Sequence, residues 1–358
     1  MVFVVCWGRD ADRLSLDVAC YRVLHCSVDS AFNGVVTIAE RYNPTMTQST
    51  STPTILLFGA NGQVGHALSS TLSSQGRVVA CTRSQLDLSE ADGLQERIEQ
   101  IVMQTKPAVL VNASAYTAVD KAESESDAAM LVNASAPGWM AQAAARQDAV
   151  LIHYSTDYVF RGDKDGSYVE TDPVDPLSVY GKTKLAGERA VVAGCARHLI
   201  FRTSWVFGAH GSNFLKTMLR LACERDALRV VADQFGAPTS ASLIAETTAN
   251  ILTQMIHVPA SDPRWGTYHL VAAGQTSWHE YACYVIDRAR QSGAPIRLRP
   301  DALARIATKD YPLPAPRPHN SRMNTTKLRQ AFGVSMPDWH EGVDQVLGQI
   351  LKGDGCVS

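Results

Sequence analysis

A doubly wound parallel α/β sheet with a smaller C-terminal lobe is the architecture that this 358-residue sequence predicts. Three observations carry that expectation. Short apolar runs alternate with longer helical stretches across residues 54–202. The first run passes directly into a glycine turn, Gly59-Ala60-Asn61-Gly62-Gln63-Val64-Gly65. After the fourth run come Tyr180 and Lys184, four residues apart in Tyr180-Gly181-Lys182-Thr183-Lys184.

Residues 54–58 (TILLF) read as a buried strand and residues 66–72 as a helix start. Strand, glycine turn and helix N-terminus make the phosphate-binding unit of a dinucleotide fold. Gly59 allows the tight turn, Gly62 lets the backbone approach a pyrophosphate, and Gly65 lets helix and strand pack closely. Asn61, Gln63 and Val64 lie in the same turn, where free helix N–H groups meet phosphate. The spacing is G-x-x-G-x-x-G; a glycine-rich turn without a ligand is the alternative.

Residues 77–81 are the second strand. An NAD site ends this strand with Asp or Glu on the ribose 2′-hydroxyl. Here the chain reads Cys81-Thr82-Arg83-Ser84, with no acid before Asp87. Arg83 can pair with a 2′-phosphate, which points to NADPH over NADH, a solvated surface arginine being the alternative.

A helix is expected at 94–104, a strand at 107–112, and helix over most of 124–146 with Pro137-Gly138 interrupting it. The next strand is 149–154, the helix carrying Tyr180 begins near Ser178, and 198–202 is a further strand. Beyond Gly208 the alternation loosens: helices are expected at 213–225, 243–256, 277–291 and 338–351 and a short strand at 228–231, with an irregular segment at Pro312, Pro314, Pro316 and Pro318. Residues 51–208 are thus the dinucleotide-binding part. Residues 209–358 are mainly a lobe closing over a substrate, some of whose segments rejoin the first domain. Residues 1–50 read as an extension foreign to the fold, with a working start at or near Met46.

Tyr180 is the one tyrosine with Lys four residues on. On a helix that spacing puts phenol and ammonium on one face, and the positive charge favours loss of the phenolic proton. The pair therefore suits a carbonyl/alcohol couple near neutral pH. Ser155-Thr156-Asp157 follows the strand ending at Tyr154, so the Thr156 hydroxyl is expected at the sheet's carboxyl edge, within reach of a substrate carbonyl; a turn or cap role is the alternative. Asn112 reads as a structural amide, His153 as a core histidine and Lys182 as solvent-facing.

Composition narrows the classes. A net charge of −2 leaves no basic footprint for nucleic acid. Eight cysteines without a C-x-x-C pair fit a reducing, cytoplasmic compartment and argue against a zinc site or disulfide framework. No apolar run has the length of a membrane span.

The chain resembles the extended short-chain dehydrogenase/reductase superfamily from about Thr54 to near its end. The resemblance rests on residues 57–65, 111–123, 153–160, 179–188, 201–206 and 233–239, with Arg317-Pro318-His319-Asn320-Ser321-Arg322 similar to a C-terminal signature. Within that superfamily it is most similar to enzymes that reduce the C4 keto group of a dTDP-linked 6-deoxy-4-hexulose to give dTDP-L-rhamnose. The resemblance implies that Tyr180 protonates the developing alkoxide. It implies that Lys184 lowers the Tyr180 pKa and holds the nicotinamide ribose, and that Thr156 holds the keto oxygen. Cofactor contacts are implied at Gly62, Gln63, Val64, Asp87, Leu88, Ala115, Tyr116 and Thr117, and substrate contacts at Thr156, Asp157 and Trp205. NADH as well as NADPH is accepted among such relatives. Some of them join as homodimers through glutamates around magnesium; the matching positions here are Ala67 and Ser242, which carry no carboxylate. An epimerase or dehydratase of the same superfamily, or a non-catalytic regulatory subunit, is the competing reading. Asp157 is followed by Tyr158, with no Asp-Glu pair after Thr156, which disfavours dehydration, and the intact Thr156, Tyr180 and Lys184 argue against a regulatory subunit.

Overall fold

In a computed structural model, residues 52–353 are described, and the expectations for residues 1–50 lie outside them. The first half runs β1 (Thr54–Phe58), α1 (Gln63–Thr71), β2 (Arg77–Cys81), α2 (Leu94–Thr105), β3 (Val109–Asn112), α3 (Val119–Ala122), α4 (Ser126–Met130), α5 (Ala136–Arg146), β4 (Val150–Thr156), α6 (Val179–Gly194) and β5 (His198–Thr203). There follow β6 (Val206–Phe207), α7 (Phe214–Glu224), β7 (Leu228–Val231), β8 (Phe235–Gly236), β9 (Thr239–Ser240), α8 (Ala241–Met255), β10 (Gly266–His269), β11 (Thr276–Ser277), α9 (Trp278–Gln291), β12 (Leu303–Ile306), α10 (Thr326–Phe332) and α11 (Trp339–Gly353).

The central sheet is wholly parallel, in the order β2-β1-β3-β4-β5-β10. Both its faces are covered, which is why β1, β3 and β4 are continuous apolar runs rather than alternating ones. Ile55, Leu57, Val111 and Ile152 face α1 and α8. Leu56, Leu110 and Leu151 face α2 and α5. Full burial of each such side chain contributes ~1.5–3 kcal/mol. Strand order reverses between β1 and β3, and a ligand crevice is expected at the carboxyl ends of those two strands.

Several details differ from the sequence expectations for local reasons. The helix before β4 is interrupted not at Pro137-Gly138 but just ahead of it, by a π-helical turn at Leu131–Ser135. Pro137 lacks an N–H, and the wider turn takes up the missing bond while the helix continues through α5. Thr156 is the last residue of β4, not a residue after it. The strand Gly266–His269 escaped notice because it holds only four residues and opens on glycine; it nevertheless extends the central sheet beside β5. β12 pairs with β7 in a small parallel ribbon.

α6 packs closely on α5 because small residues meet along the contact. A Cβ on Gly138 would sit 3.1 Å from Ala190 Cβ, and one on Gly187 would sit 2.0 Å from the Asn133 carbonyl. Beneath α6, Glu188 accepts two hydrogen bonds from Arg202 of β5, at 2.9 and 2.7 Å, and both side chains are buried.

Candidate active site

Two cavities meet the carboxyl edge of the sheet. The first, of about 480 Å³, lies at the β1/β3 crevice and is lined by Gly59, Thr82, Arg83, Asp87, Leu88 and Tyr116 among others, with Ala115 and Thr117 also on its wall. Gly59 adopts φ +78, and a Cβ there would lie 2.6 Å from the Ser114 backbone nitrogen. Only glycine fits that approach. A Cβ on Gly65 would come within 2.1 Å of the Gly59 carbonyl oxygen, so helix and turn stack without a side chain between them. Gly62 is the N-cap of α1 and supplies no side-chain cap, leaving Asn61 exposed and the first-turn N–H groups, from Gln63 and Val64 onward, facing the turn. Gln63 is tied to the lobe by an Asn213 Nδ2 donor at 2.9 Å.

On the cavity's outer wall, Arg83 is largely exposed, at 77%, and donates to Asp87 at 2.8 Å. Hydrogen bonds from Ser89 and then Arg83 hold the Asp87 carboxyl down at about 2. Tyr116 donates its hydroxyl to Glu125. Its backbone is fixed by Asn133, whose Oδ1 accepts from Tyr116 N at 2.9 Å while Nδ2 donates to the Tyr116 carbonyl and to Thr183 Oγ1. Asn133 thus couples the loop at Tyr116 on the first cavity's wall to the helix carrying Lys184. In the sequence it is one polar residue within an alanine-rich helix, with no signal of its own.

Ser178 caps α6 by accepting from Gly181 N at 3.2 Å, which fixes where the helix begins and hence which face carries Tyr180 and Lys184. Thr156 Oγ1 donates to Asp157 Oδ1 at 3.0 Å and accepts from Tyr158 N at 3.2 Å. Tyr180 is half-buried and meets Tyr158 edge-on at 5.5 Å. Burial pushes the Tyr180 phenol up to about 12, the nearby Thr156 hydroxyl works against that rise, and the Asp157 charge adds to it. Lys184, 1% exposed, aims its Nζ at the Tyr154 carbonyl at 2.6 Å and at His153 Nε2 at 3.4 Å. Burial brings its ammonium down to about 8, against the raising influence of Glu188. Asp157 is pushed up to about 6 by burial, and its Oδ2 has no hydrogen-bond partner among the described residues.

The second cavity, of about 650 Å³, opens beside Tyr158 and is lined by Phe214, Arg229, Gln234, Trp278, Tyr311 and Arg317 among others. Trp205 stacks on Trp278 at 3.6 Å with φ +48, and a Cβ on Gly236 would press on its ring. Trp278 is therefore the indole on the cavity wall, with Trp205 behind it. Arg317 reaches back to Asp120 of α3 at 2.7 and 2.8 Å, closing the cavity's inner end. The Arg317-Pro318-His319 signature was the one sequence signal for this wall; Phe214 and Trp278 gave none, since lone aromatics in amphipathic stretches read as core, and Tyr311 stands at the head of the irregular proline segment.

Ala67 and Ser242 lie on α1 and α8, and among the described residues no group of three or more His, Cys, Asp or Glu side chains is placed to hold a metal. Nor is any described helix long and apolar enough to cross a membrane.

A family model described as the RmlD substrate binding domain matches residues 53–352. The chain is similar to the dTDP-4-dehydrorhamnose reductase of Shigella flexneri, 50% identical over 298 residues that cover 83% of this chain and 98% of that protein. It is similar to the enzyme of the same name from Escherichia coli strain K12, 48% identical over 297 residues, with 83% and 98% covered. Among solved structures it is similar to a dTDP-4-dehydrorhamnose reductase from Clostridium acetobutylicum, with TM-score 0.75, 33% identity, and 83% and 99% covered. It is also similar to one from Bacillus anthracis in complex with NADP, with TM-score 0.74, 32% identity, and 83% and 99% covered.

Proposed function

The chain belongs to the RmlD family, and from that premise we propose how its residues carry out the family's reaction. It is an NADPH-dependent oxidoreductase that reduces the C4 keto group of dTDP-4-dehydro-6-deoxy-L-mannose, giving dTDP-L-rhamnose in the last step of that nucleotide sugar's synthesis. The observation that carries the reading is the placement of Tyr180 and Lys184 one turn apart on α6, with the Thr156 hydroxyl at the end of β4 acting on the Tyr180 phenol and Lys184 Nζ on the Tyr154 carbonyl of the same strand.

The first cavity suits a dinucleotide: Gly59 lies on its wall, and the tight turn leading into α1 tolerates no Cβ at Gly59 or Gly65. Gly59, Asn61, Gly62, Gln63, Val64 and Gly65 would hold the pyrophosphate on the α1 N-terminus. Arg83, Asp87, Leu88, Ala115, Tyr116 and Thr117 would hold the adenosine side, and Lys184, with its Nζ still beside His153 and the Tyr154 carbonyl, would donate to a nicotinamide ribose hydroxyl. Bound NADPH supplies the hydride. Thr156 orients the substrate carbonyl, and Tyr180, fully protonated at neutral pH, gives its proton to the developing alkoxide. A phenol held protonated suits reduction, since the step consumes a proton. Asp157 Oδ2 is a buried acceptor for a sugar hydroxyl. Arg229 and Arg317 offer charge to the substrate diphosphate, and Phe214, Trp278 and Tyr311 offer apolar faces to its base. A cytoplasmic setting and a homodimer complete the proposal.

Arg83→Ala is expected to lower the NADPH/NADH ratio of kcat/KM by about 10- to 100-fold, the worth of a charge-assisted bond to phosphate. The exposed pair with Asp87 competes weakly with such a bond. An unchanged ratio removes Arg83 from cofactor choice. The substrate assignment is tested with a panel of nucleotide 4-keto sugars. The dTDP-linked 6-deoxy sugar should turn over with the highest kcat/KM, and preference for another nucleotide contradicts it.

A further inference from the structure

Asn112, His153 and Lys184 form a buried line from the end of β3 to α6, each no more than 1% exposed. The Ser114 backbone N–H can only donate, and it reaches Asn112 Oδ1 at 3.1 Å; the Ser114 hydroxyl donates to the same oxygen at 2.5 Å. Those bonds fix the amide orientation, so Nδ2 is the atom facing His153 Nδ1 at 3.1 Å. An amide NH2 only donates, so Nδ1 accepts and the neutral imidazole carries its proton on Nε2. Nε2 stands 3.4 Å from Lys184 Nζ. While Lys184 is an ammonium, two donors face each other across that gap. Once it is an amine, its lone pair accepts from Nε2–H.

We propose, resting on the reading that Tyr180 and Lys184 serve the reduction, that His153 is a positioning residue whose locked Nε2–H stabilises the neutral amine left when Lys184 returns a proton to Tyr180. The step balances. The Tyr180 O–H bond breaks as its proton goes to the reduced carbonyl oxygen. A Lys184 N–H bond then breaks, its proton goes to a bridging hydroxyl or water that gives its own proton to the phenolate, and the Tyr180 O–H bond reforms. The freed Nζ lone pair takes up the His153 Nε2–H bond, and solvent restores the ammonium. The only electron transfer in the cycle is the hydride transfer that the established reaction already contains.

Other groups around Lys184 act in known directions. Glu188, one turn along α6, favours the ammonium, and its carboxylate is held by Arg202 of β5. Tyr180 lies one turn earlier on α6. From the turn after β4, Asp157 acts on Tyr180 and Tyr158 packs against it. Burial, and then the Lys184 charge, hold His153 well below its usual pKa, so it stays neutral while Lys184 exchanges its proton.

Two measurements test the inference: the His153 tautomer in the whole wild-type protein by 15N NMR, and the pH profile of kcat/KM for the keto-sugar at saturating NADPH. Wild type should show the Nε2–H tautomer across the neutral range, and its activity should fall as pH rises through the Lys184 titration. H153F keeps the ring's volume without the N–H, so the ammonium is favoured and the high-pH limb should move up by about 0.5–1 unit, the worth of one neutral hydrogen bond. H153Q places an amide NH2 at the Nε2 position and should bring the limb back towards wild type. An Nδ1–H tautomer, an unmoved limb in H153F, or an equal shift in H153Q would overturn the inference. If H153F does not fold, the wild-type tautomer and H153Q decide. An active Y180F enzyme would instead defeat the site reading itself, whatever His153 does.

Discussion

Tyr180→Phe is expected to cut kcat by ~10²-fold or more, the usual worth of a positioned general acid, while NADPH affinity stays close to that of wild type. The substitution removes one hydroxyl and keeps the ring, so the edge-on contact with Tyr158 survives. Thr156 keeps its bonds to Asp157 and to the Tyr158 backbone, so the carbonyl site stays in shape. The loss should therefore fall on kcat rather than on the KM for sugar. Steady-state kinetics with a fluorescence titration of NADPH separates the two. Near-wild-type turnover would remove Tyr180 from the mechanism.

The largest stability effect is expected at Glu188. Its bidentate bond with Arg202 is buried between α6 and β5, and Arg202 also lies over the Phe160 ring at 5.1 Å. Glu188→Ala leaves the guanidinium buried without its counter-charge, at a cost of ~3–5 kcal/mol. The paired replacement Glu188→Leu with Arg202→Met removes both charges together and should recover most of that loss. Urea unfolding of the single and double variants gives the comparison. A single variant within about 0.5 kcal/mol of wild type would contradict a buried, dry pair. Because α6 carries Tyr180 and Lys184, the same variant should also lose activity as the helix loosens.

Much of the fold was legible because its signals are local. A parallel sheet covered on both faces writes its strands as apolar runs, and residues 54–58 and 149–154 each stand out against polar flanks. The glycine turn was legible through Gly59 and Gly65, whose spacing reflects contacts that a Cβ forbids. The short pieces of the lobe were not. β6, β8, β9 and β11 are two residues each, and β10 is defined by its pairing with β5 rather than by any pattern of its own. At the site, Tyr180, Lys184 and Thr156 could be placed by spacing and strand ends. The protonation of Tyr180 could not, because it is set by burial and by Thr156 and Asp157, which lie on and just after β4. His153 itself read as a core histidine; its neighbours Asn112 and Lys184 are 41 and 31 residues away in sequence, beyond the reach of any local pattern.

The most direct test of the central claim is the stoichiometry between NADPH oxidised and dTDP-4-dehydro-6-deoxy-L-mannose consumed by the purified protein. A 4-keto reductase predicts one NADPH spent for each dTDP-L-rhamnose formed, followed by absorbance loss at the nicotinamide band and by product analysis. Turnover of the sugar with no net loss of NADPH would mark a cycle of oxidation and re-reduction, as in an epimerase, and would contradict the account.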